Sequence, residues 1–345
     1  MTYAFINNKK HERGATMKTL KVIIYGMGAV GQQIVKCLDT KPGIEIVGAI
    51  DLRHVGEDIG ELSGLGKKLN VCITDDADKL FSETEADVVF HLTTTTVADC
   101  VEQLRKPISE GMQILTSAEE MVSPFYYNKE GAEIIDALAK EHNVSVLGSG
   151  LWPTYMDVYI PVALSGGCRE VERIEYRRHS DFSAYIGSKV LTKFALDMTK
   201  DEYEKALADG QVFGHTGFGG TFQIFADLMG WNLEKVVDKL EAFYDDDDNV
   251  ISLKHSATGI CDGEEKIYNE IWASIQEDWV AEDSYYIKAI PEINVTINGG
   301  IKGTAPVANC IVNQLPMLLK SEPGIIDKPI VGMRAFDGNI FDQLK

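Results

Sequence analysis

Basic charge is scarce in this sequence. Its 33 lysine and arginine residues are outnumbered by 53 aspartate and glutamate residues, which gives a formal net charge of −20 at pH 7. Nucleic acids and anionic membranes are bound by basic surfaces, so neither is expected as a partner. The densest acidic run, residues 245–248, predicts an exposed turn. It does not predict a calcium site, because no glycine-containing EF-hand loop surrounds it.

Paired cysteines and long apolar runs are also missing. The six cysteines are scattered without a C-x-x-C spacing, so neither a zinc site nor a disulfide framework is indicated. No apolar run is long enough to span a bilayer, and the first residues contain no apolar signal region. We therefore expect a cytoplasmic protein without a metal site. Residues 1–16 are expected to form a disordered extension ahead of Met17.

A short apolar strand and a glycine turn are the most informative part of the chain. The run VIIY is followed by Gly26, Gly28 and Gly31 in the pattern G-x-G-x-x-G, and then by apolar residues at helical spacing. A second strand, residues 44–50, ends at Asp51, which lies 20 residues after Gly31. Strand, turn, helix, strand and acid in this order predict a dinucleotide-binding unit of the Rossmann type.

Each residue of this motif has a physical role. Gly26 permits the tight turn, Gly28 lets the backbone approach a pyrophosphate, and Gly31 lets helix and strand pack closely. The helix then begins at Ala29 and Val30, where unpaired N–H groups favour an anion. The motif therefore predicts a nicotinamide dinucleotide as cofactor.

The acid after the second strand bears on the choice of cofactor. A carboxylate at Asp51 accepts hydrogen bonds from the ribose hydroxyls and repels a 2′-phosphate, which favours NAD. Arg53 and His54 are close enough in sequence to reduce that repulsion, so NADP is retained as an alternative.

The remaining pattern predicts an α/β fold with two domains. Residues 17–150 are expected to form a doubly wound parallel sheet, with further strands at 70–74, 87–92, 113–115 and 145–148 and helices at 97–110 and 129–141. Residues 151–303 predict a second, α+β domain on an open mixed sheet, for substrate binding and dimerisation. Its expected helices are 156–165, 199–209 and 222–240, and its expected strands are 171–179, 252–257, 265–276 and 284–297. Residues 304–345 are expected to return to the first domain, beginning with a helix at 303–320.

Threonines follow the fourth strand, at residues 93–96. Ligands bind at the carboxyl ends of the strands in open α/β sheets, so Thr93, Thr94 and Thr95 are predicted to contact the ribose or nicotinamide of the cofactor. The structural alternative is that the threonines cap the helix that follows. The two roles are compatible.

Several further segments, taken in order, resemble a known family. They are VIIYGMGAVGQQIV, VGAIDLRHVGEDIGEL, TSAEEM, GSGLWPTYMD, FADLMGW and GTAPVANCIVNQLP. Together they are similar to the dihydrodipicolinate-reductase-like superfamily, and within it to 2,4-diaminopentanoate dehydrogenases and native amine dehydrogenases. The histidine-pair and lysine motif of true dihydrodipicolinate reductase is missing before Gly303, so a role in lysine biosynthesis is not expected.

The resemblance implies a reaction and a set of residues. The reaction is NAD(P)-dependent oxidative deamination of a small amine, with reductive amination of a ketone or aldehyde by ammonia as its reverse. The family's catalytic glutamate follows the fifth strand, which corresponds to Glu120, with Glu119 as its neighbour. Ser117 and Ala118 precede it on the cofactor side. The pocket wall matches Trp152 and Pro153, and its far side matches Thr304 and Asn309.

Simpler structural roles compete with these assignments. Ser117 and Glu120 fit the capping box S-x-x-E, in which Glu120 only binds the Ser117 N–H. Tyr176, His179 and His215 are candidates for the substrate pocket, although such residues are more often structural. An amino-acid substrate would need a cationic clamp, for which Arg177 and Arg178 are the adjacent arginine pair in the second domain.

The sequence therefore predicts a homodimeric amine dehydrogenase that uses a glutamate as acid and base. The alternatives are a 2,4-diaminopentanoate dehydrogenase proper, an ammonia-independent imine or carbonyl reductase, and a non-catalytic NAD-binding sensor.

Overall fold

The chain folds into two compact units. The computed structural model describes residues 19–186, 191, 194–196, 198–212, 214–215, 217–327, 339 and 341. The expected extension at residues 1–16 lies outside this range. One unit holds the described residues up to Leu151 and those from Thr304 onward, and the other runs from Trp152 to Gly303. No helix within the described ranges is long and apolar enough to cross a membrane.

The described part of the first unit contains a seven-stranded parallel sheet. Its strands are β1 Leu20–Tyr25, β2 Ile44–Ile50, β3 Ile73–Thr74, β4 Val88–His91, β5 Gln113–Thr116, β6 Ser145–Gly148 and β13 Gly324–Ile325. They are ordered β13-β6-β5-β4-β1-β2-β3, and every neighbouring pair is parallel. Central strands of such sheets are apolar throughout, as in β1, where Val22, Ile23 and Ile24 are fully buried.

Helices cover both faces of this sheet. They are α1 Ala29–Asp39, α2 Ile59–Leu62, α3 Ala77–Glu83, α4 Val97–Ser109, α5 Pro124–Tyr127, α6 Lys129–Glu141, α10 Thr304–Val312 and α11 Leu315–Leu318. One core joins α1, α10 and α11 to the sheet, and the other joins α3, α4 and α6 to its opposite face. The doubly wound parallel fold predicted from the sequence is confirmed.

The second unit is built on a mixed six-stranded sheet. Its strands are β7 Arg169–Asp181, β8 Leu233–Tyr244, β9 Val250–Cys261, β10 Glu264–Ser274, β11 Glu282–Ile290 and β12 Ile293–Asn298. The order is β12-β11-β7-β10-β9-β8; β7 and β10 are parallel and the other pairs antiparallel. Its helices are α7 Ile160–Ser165, α8 Lys200–Ala208 and α9 Phe218–Met229. Helix α7 is preceded by a π-type segment, Leu151–Tyr159, which is kinked because Trp152 and Pro153 have non-helical backbone angles. Apolar side chains of α9 pack on one face of the sheet.

The long helix expected at 222–240 is wrong in its second half. Helix α9 ends at Met229, and Gly230 follows in the left-handed conformation with φ 71°. The next segment is strand β8, which pairs antiparallel with β9. Leu233, Val236 and Leu240 have a spacing that a helix also produces, but Gly230 ends the helix before them.

Two other expected elements are divided by prolines. The helix expected at 303–320 is split into α10 and α11, because Pro316 lacks an N–H and its ring clashes with the carbonyl four residues earlier. The strand expected at 284–297 is two antiparallel strands, β11 and β12, with Pro291 between them. Helix α3 and strand β13 were not predicted.

Candidate functional site

The glycine turn has the close approaches that its sequence predicts. Gly26 adopts φ 114°, and a Cβ there would lie 2.9 Å from the Leu92 carbonyl oxygen. A Cβ on Gly31 would lie only 2.1 Å from the Gly26 carbonyl oxygen. Gly28 differs, because a Cβ there would meet no described atom within 4 Å. Gly26 and Gly31 are therefore needed for packing, whereas Gly28 borders the open space at the start of α1, where Ala29 and Val30 form the first helical turn.

Asp51 connects the end of β2 to this turn. Its Oδ2 accepts a hydrogen bond from the Met27 N–H at 2.7 Å, and its Oδ1 accepts one from the Arg53 N–H at 2.8 Å. The Arg53 guanidinium lies 3.8 Å from the same Oδ1, with 78% of its side chain exposed. The carboxylate is thus fixed beside the glycine turn, and a cationic side chain lies next to it.

The threonine segment after β4 is largely engaged in local hydrogen bonds. Thr96 caps α4 by accepting from the Asp99 N–H, so the capping role is confirmed for this residue. The Thr94 hydroxyl donates to Asp99, and the Thr93 hydroxyl donates to Gln103. Contact of Thr93, Thr94 and Thr95 with a cofactor stays a prediction.

Glu120 lies in a short 3-10 helix, Glu119–Val122, that follows β5. Its backbone N–H donates to the Thr95 carbonyl at 3.1 Å, and its Oε2 accepts from the Val97 N–H at 2.8 Å. The carboxylate therefore caps helix α4 from another segment, where the helix dipole stabilises negative charge.

The capping box that was the structural alternative for Ser117 and Glu120 is not formed. The Ser117 N–H donates to the His91 carbonyl at 2.9 Å, and the 3-10 helix begins after Ala118 without a side-chain cap. The S-x-x-E motif predicted the wrong partner, because Glu120 binds the N–H of Val97, which is distant in sequence, and not that of Ser117. Glu119 and Glu120 are both partly buried.

His91 was missed by the sequence reasoning, although it ends the central strand β4. It is fully buried, its Nδ1 is 2.9 Å from the Thr116 hydroxyl, and its Nε2 is 2.7 Å from Gln103 Oε1. Burial lowers the pKa of His91 to about 4, with the Gln103 hydrogen bond acting in the opposite direction. Thr116 in turn accepts from the Ala118 N–H, so a neutral histidine supports the backbone just before Glu119. The available signal was a histidine within the apolar strand VVFH.

The structure groups some of the predicted pocket residues in the second unit. Trp152, which precedes Pro153, stacks on Tyr176 with ring centroids 5.9 Å apart. His215 contacts the edge of Trp152 at 6.2 Å. His179 and Tyr176 point to opposite faces of the sheet, because side chains alternate along a strand and these two are three positions apart. On its own face, His179 Nε2 lies 3.7 Å from Glu270. The structure therefore separates His179 from Trp152, Tyr176 and His215.

Thr304 and Asn309 belong to the first unit. Thr304 begins α10 and is exposed. Asn309 lines an open groove together with Lys36 and Cys37 of the second half of α1 and with Thr40, which follows the helix. That groove is at the other end of α1 from the glycine turn, so the structure does not bring Asn309 to the cofactor side.

The two arginines of the proposed clamp also point to opposite faces. Arg177 pairs with Glu175 Oε2 at 2.5 Å, whereas Arg178 shares the face of Tyr176 and is 3.5 Å from Asp283 Oδ1. Asp157, a buried carboxyl on the π-type segment, was missed because nothing in the local sequence marks it.

Two family models match different segments of the chain. Residues 155–340 match the family described as 2,4-diaminopentanoate dehydrogenase C-terminal domain, and residues 20–114 match dihydrodipicolinate reductase, N-terminus. A 2,4-diaminopentanoate dehydrogenase of Acetoanaerobium sticklandii is 28% identical, with 95% of this chain and 98% of that protein aligned. An amine dehydrogenase of Streptomyces virginiae is 22% identical, with 93% of this chain and 98% of that protein aligned.

A solved structure of an amine dehydrogenase from Mycobacterium smegmatis has the same fold. Its TM-score is 0.75 at 22% identity, and the match covers 91% of this chain and 97% of that chain. These matches confirm the resemblance inferred from the sequence. Since the first family match covers more than half of the residues, the chain belongs to the family of the 2,4-diaminopentanoate dehydrogenase C-terminal domain.

Proposed function

We propose that the chain is an NAD(P)-dependent amine dehydrogenase that oxidises a small amine to a ketone or aldehyde and runs the reverse reductive amination with ammonia. Oxidoreductases that act on CH–NH2 donors are the class named for its full-length relatives. The observation that carries the proposal is the position of Glu120. Its carboxylate lies at the same edge of the sheet as the glycine turn.

That position follows from the sheet order. Strands β5, β4 and β1 are consecutive neighbours and parallel, so their carboxyl ends meet at one edge. The glycine turn follows β1, the threonine segment follows β4, and Glu120 follows β5. Ligands of open α/β sheets bind at this edge. This order supports the proposal that the Glu120 carboxylate and the dinucleotide lie on the same side of the first unit.

The residues at this edge fit a dinucleotide. Gly28 leaves space above the first turn of α1, whose N–H groups face that space, and Asp51 is fixed beside it. When bound, the nicotinamide cofactor supplies hydride transfer between itself and the carbon that bears nitrogen. We assign Ser117, Ala118 and the threonine segment to the same edge of the cofactor site, because they follow β5 and β4.

We assign proton transfer to Glu120. Reductive amination needs a carboxylate that holds ammonium, takes its proton so that ammonia attacks the carbonyl carbon, and returns a proton as water leaves. In the opposite direction, the amine loses a hydride to the cofactor and a proton to the carboxylate, which is two electrons and two protons in all. Water then attacks the carbon of the resulting imine, and the nitrogen leaves as ammonia, which takes up the proton to become ammonium. The hydrogen bond from the Val97 N–H orients Oε2 of Glu120 for these steps.

Trp152 and Tyr176 provide an apolar wall in the second unit. Their rings stack, and Phe218 contacts the edge of Trp152 at 5.6 Å, which fixes the indole in place. Ring faces favour cations as well as alkyl groups, and an iminium is cationic. We propose that this wall limits the size of the substrate.

We propose NAD as the preferred cofactor because hydrogen bonds hold both oxygens of Asp51 beside the glycine turn, and a carboxylate after the second strand of a dinucleotide fold accepts from ribose hydroxyls. The exposed Arg53 retains NADP as the second possibility. A cytoplasmic homodimer, as expected from the sequence, is part of the same proposal.

The test is NADH oxidation at mildly alkaline pH with a panel of small ketones and aldehydes, each with and without excess ammonium. We expect turnover that depends on ammonium. Equal turnover without ammonium would instead indicate a carbonyl or imine reductase. Tight NADH binding with no turnover on any carbonyl would favour the sensor.

A further inference from the structure

An irregular loop precedes helix α9 and contacts the aromatic wall. Its described residues include Gly214, His215 and Gly217, and we call it the pre-α9 loop. The His215 ring lies 6.2 Å from the ring of Trp152, and a Cβ on Gly217 would lie 3.2 Å from Pro153 Cβ. The loop therefore packs against Trp152, which the proposed function assigns to the pocket wall.

A buried histidine of the sheet holds one backbone group of this loop. The His215 N–H donates to Nδ1 of His255 at 2.9 Å. His255 lies on β9, and only 5% of its side chain is exposed. Its Nε2 lies 3.2 Å from Oδ2 of Asp238 on the neighbouring strand β8. Each ring nitrogen thus has a partner, a backbone donor on one side and a carboxylate on the other.

These partners fix the protonation state of the imidazole. A backbone N–H can only donate, so Nδ1 of His255 must be unprotonated. Nε2 then has the proton and donates it to Asp238. Burial lowers the pKa of His255, while the hydrogen bond and the charge of Asp238 act in the opposite direction. The ring is therefore neutral at neutral and alkaline pH, in the tautomer that accepts from the loop.

The backbone of the loop comes very close to this ring. Gly214 is buried and has φ 69°, and a Cβ there would lie 2.4 Å from His255 Nδ1, so only glycine fits. The Phe218 ring is nearly perpendicular to the imidazole, with centroids 4.8 Å apart, and its centroid lies 5.6 Å from that of Trp152. His255 is therefore linked to Trp152 by two routes, through the loop and through Phe218.

We propose that His255 is a positioning residue of the substrate pocket, which holds the pre-α9 loop against Trp152 by accepting from the His215 N–H. Asp238 keeps the imidazole in the required tautomer. The inference rests on the proposed function and deepens it, because the size limit set by Trp152 then depends on a histidine that acts through the loop. Without this hydrogen bond the loop loosens, so small ketones bind less firmly and bulkier ones are admitted. Proton transfer, assigned to Glu120, is unaffected.

The kinetic test compares two replacements of His255. The side-chain oxygen of asparagine takes nearly the position of Nδ1 and can accept from the His215 N–H, although asparagine fills less space. Leucine fills more space and cannot accept. We expect His255→Leu to raise KM for a small ketone about fivefold or more, as the loss of a buried hydrogen bond implies, while kcat changes less than about twofold. The preference for small over bulky ketones should fall, and His255→Asn should retain the wild-type values.

Cys261→Ala is the matched control for lost buried volume. Cys261 is fully buried on the same strand and the same face as His255, six positions further along. We expect KM and the preference for small ketones to stay at their wild-type values in this variant.

A second measurement follows Trp152 without turnover. The chain contains four tryptophans, so labelling with fluorotryptophan gives four fluorine NMR signals, of which Trp152→Phe identifies one. We expect the Trp152 signal to shift or broaden in His255→Leu. It should stay at its wild-type position in His255→Asn and Cys261→Ala.

The outcomes separate this inference from a packing role. Equal effects of His255→Leu and His255→Asn, on KM or on the Trp152 signal, would overturn it, as would a Trp152 signal that neither replacement changes. The tautomer of His255 in the wild-type protein, read from proton–nitrogen NMR correlations, needs no variant. A proton on Nδ1 would overturn the inference even if His255→Leu fails to fold.

The same data separate the inference from the proposed function. If no carbonyl is turned over, and the Trp152 signal still changes in His255→Leu but not in His255→Asn, the function is refuted and the support of Trp152 by His255 stands. Ammonium-dependent turnover with KM and signal unchanged in His255→Leu would support the function and refute only the inference.

Discussion

Replacing Glu120 by glutamine should abolish most of the amination activity without preventing NADH binding. The amide oxygen of the introduced glutamine can still accept from the Val97 N–H, which Glu120 binds at 2.8 Å, so the cap of α4 is retained. Only the charge is lost, and charge at a helix N-terminus contributes about 0.3 to 1 kcal/mol to stability. The amide cannot exchange a proton with ammonium or water. General acid–base catalysis contributes a factor of about 10² to 10⁴ to the rate, so we expect kcat to decrease by a factor in that range.

The assay measures NADH oxidation with a ketone and ammonium, together with the dissociation constant of NADH by fluorescence titration. Glu119→Gln is the matched control, since it removes a neighbouring carboxylate of the same 3-10 helix. We expect Glu120→Gln to lower kcat while the dissociation constant changes less than about twofold, as a loss confined to proton transfer requires. Retained turnover in Glu120→Gln with a large loss in Glu119→Gln would transfer the role to Glu119. Retained turnover in both variants would refute carboxylate catalysis at this turn.

Three further predictions concern other parts of the structure. Trp152→Ala should raise kcat/KM for ketones bulkier than the best wild-type substrate, and an unchanged substrate range would contradict its role as the pocket wall. Gly31→Ala should lower both the melting temperature and the NADH affinity, because the new Cβ would lie 2.1 Å from the Gly26 carbonyl oxygen. Gly28→Ala should weaken NADH binding but change the free energy of unfolding by at most about 1 kcal/mol, because its Cβ would meet no described atom within 4 Å. A melting temperature equally lowered in both variants would refute this distinction. The His91 pKa of about 4 means that the unfolded chain takes up a proton between pH 6.5 and 4 that the folded chain does not, so stability falls as pH falls. Between pH 7 and 5 this contribution is about 2 kcal/mol, and urea unfolding should show a correspondingly smaller pH dependence in His91→Gln.

The first unit was predicted well because its signals are local. Strands β2 and β6 and helix α6 have the bounds expected from the sequence, since apolar runs and helical spacing are interrupted there by turn residues. The segment 222–240 failed for a related reason. Its apolar residues fit a helix and an edge strand alike, and only Gly230 with the pairing to β9 distinguishes them.

The candidate site was predicted less completely. The roles of Gly26 and Gly31 follow from backbone geometry, and the structure shows the expected close approaches. The partner of Glu120 and the position of Asp157 depend on contacts between residues 23 and 112 positions apart, which no local pattern encodes. His179 was grouped with Tyr176 by sequence proximity, and strand alternation places it on the other face.

Strand β13 comes after the second unit in the chain, and this affects how the first unit can fold during synthesis. Strand β13 pairs with β6, and Leu315 and Leu318 are fully buried in the core shared with α1. These residues leave the ribosome only after the whole second unit has been synthesised. Until then the outer edge of β6 has no partner strand and the apolar surface of α1 is uncovered. A nascent chain that stalls within the second unit therefore exposes both surfaces, which are templates for aggregation and sites for chaperone binding.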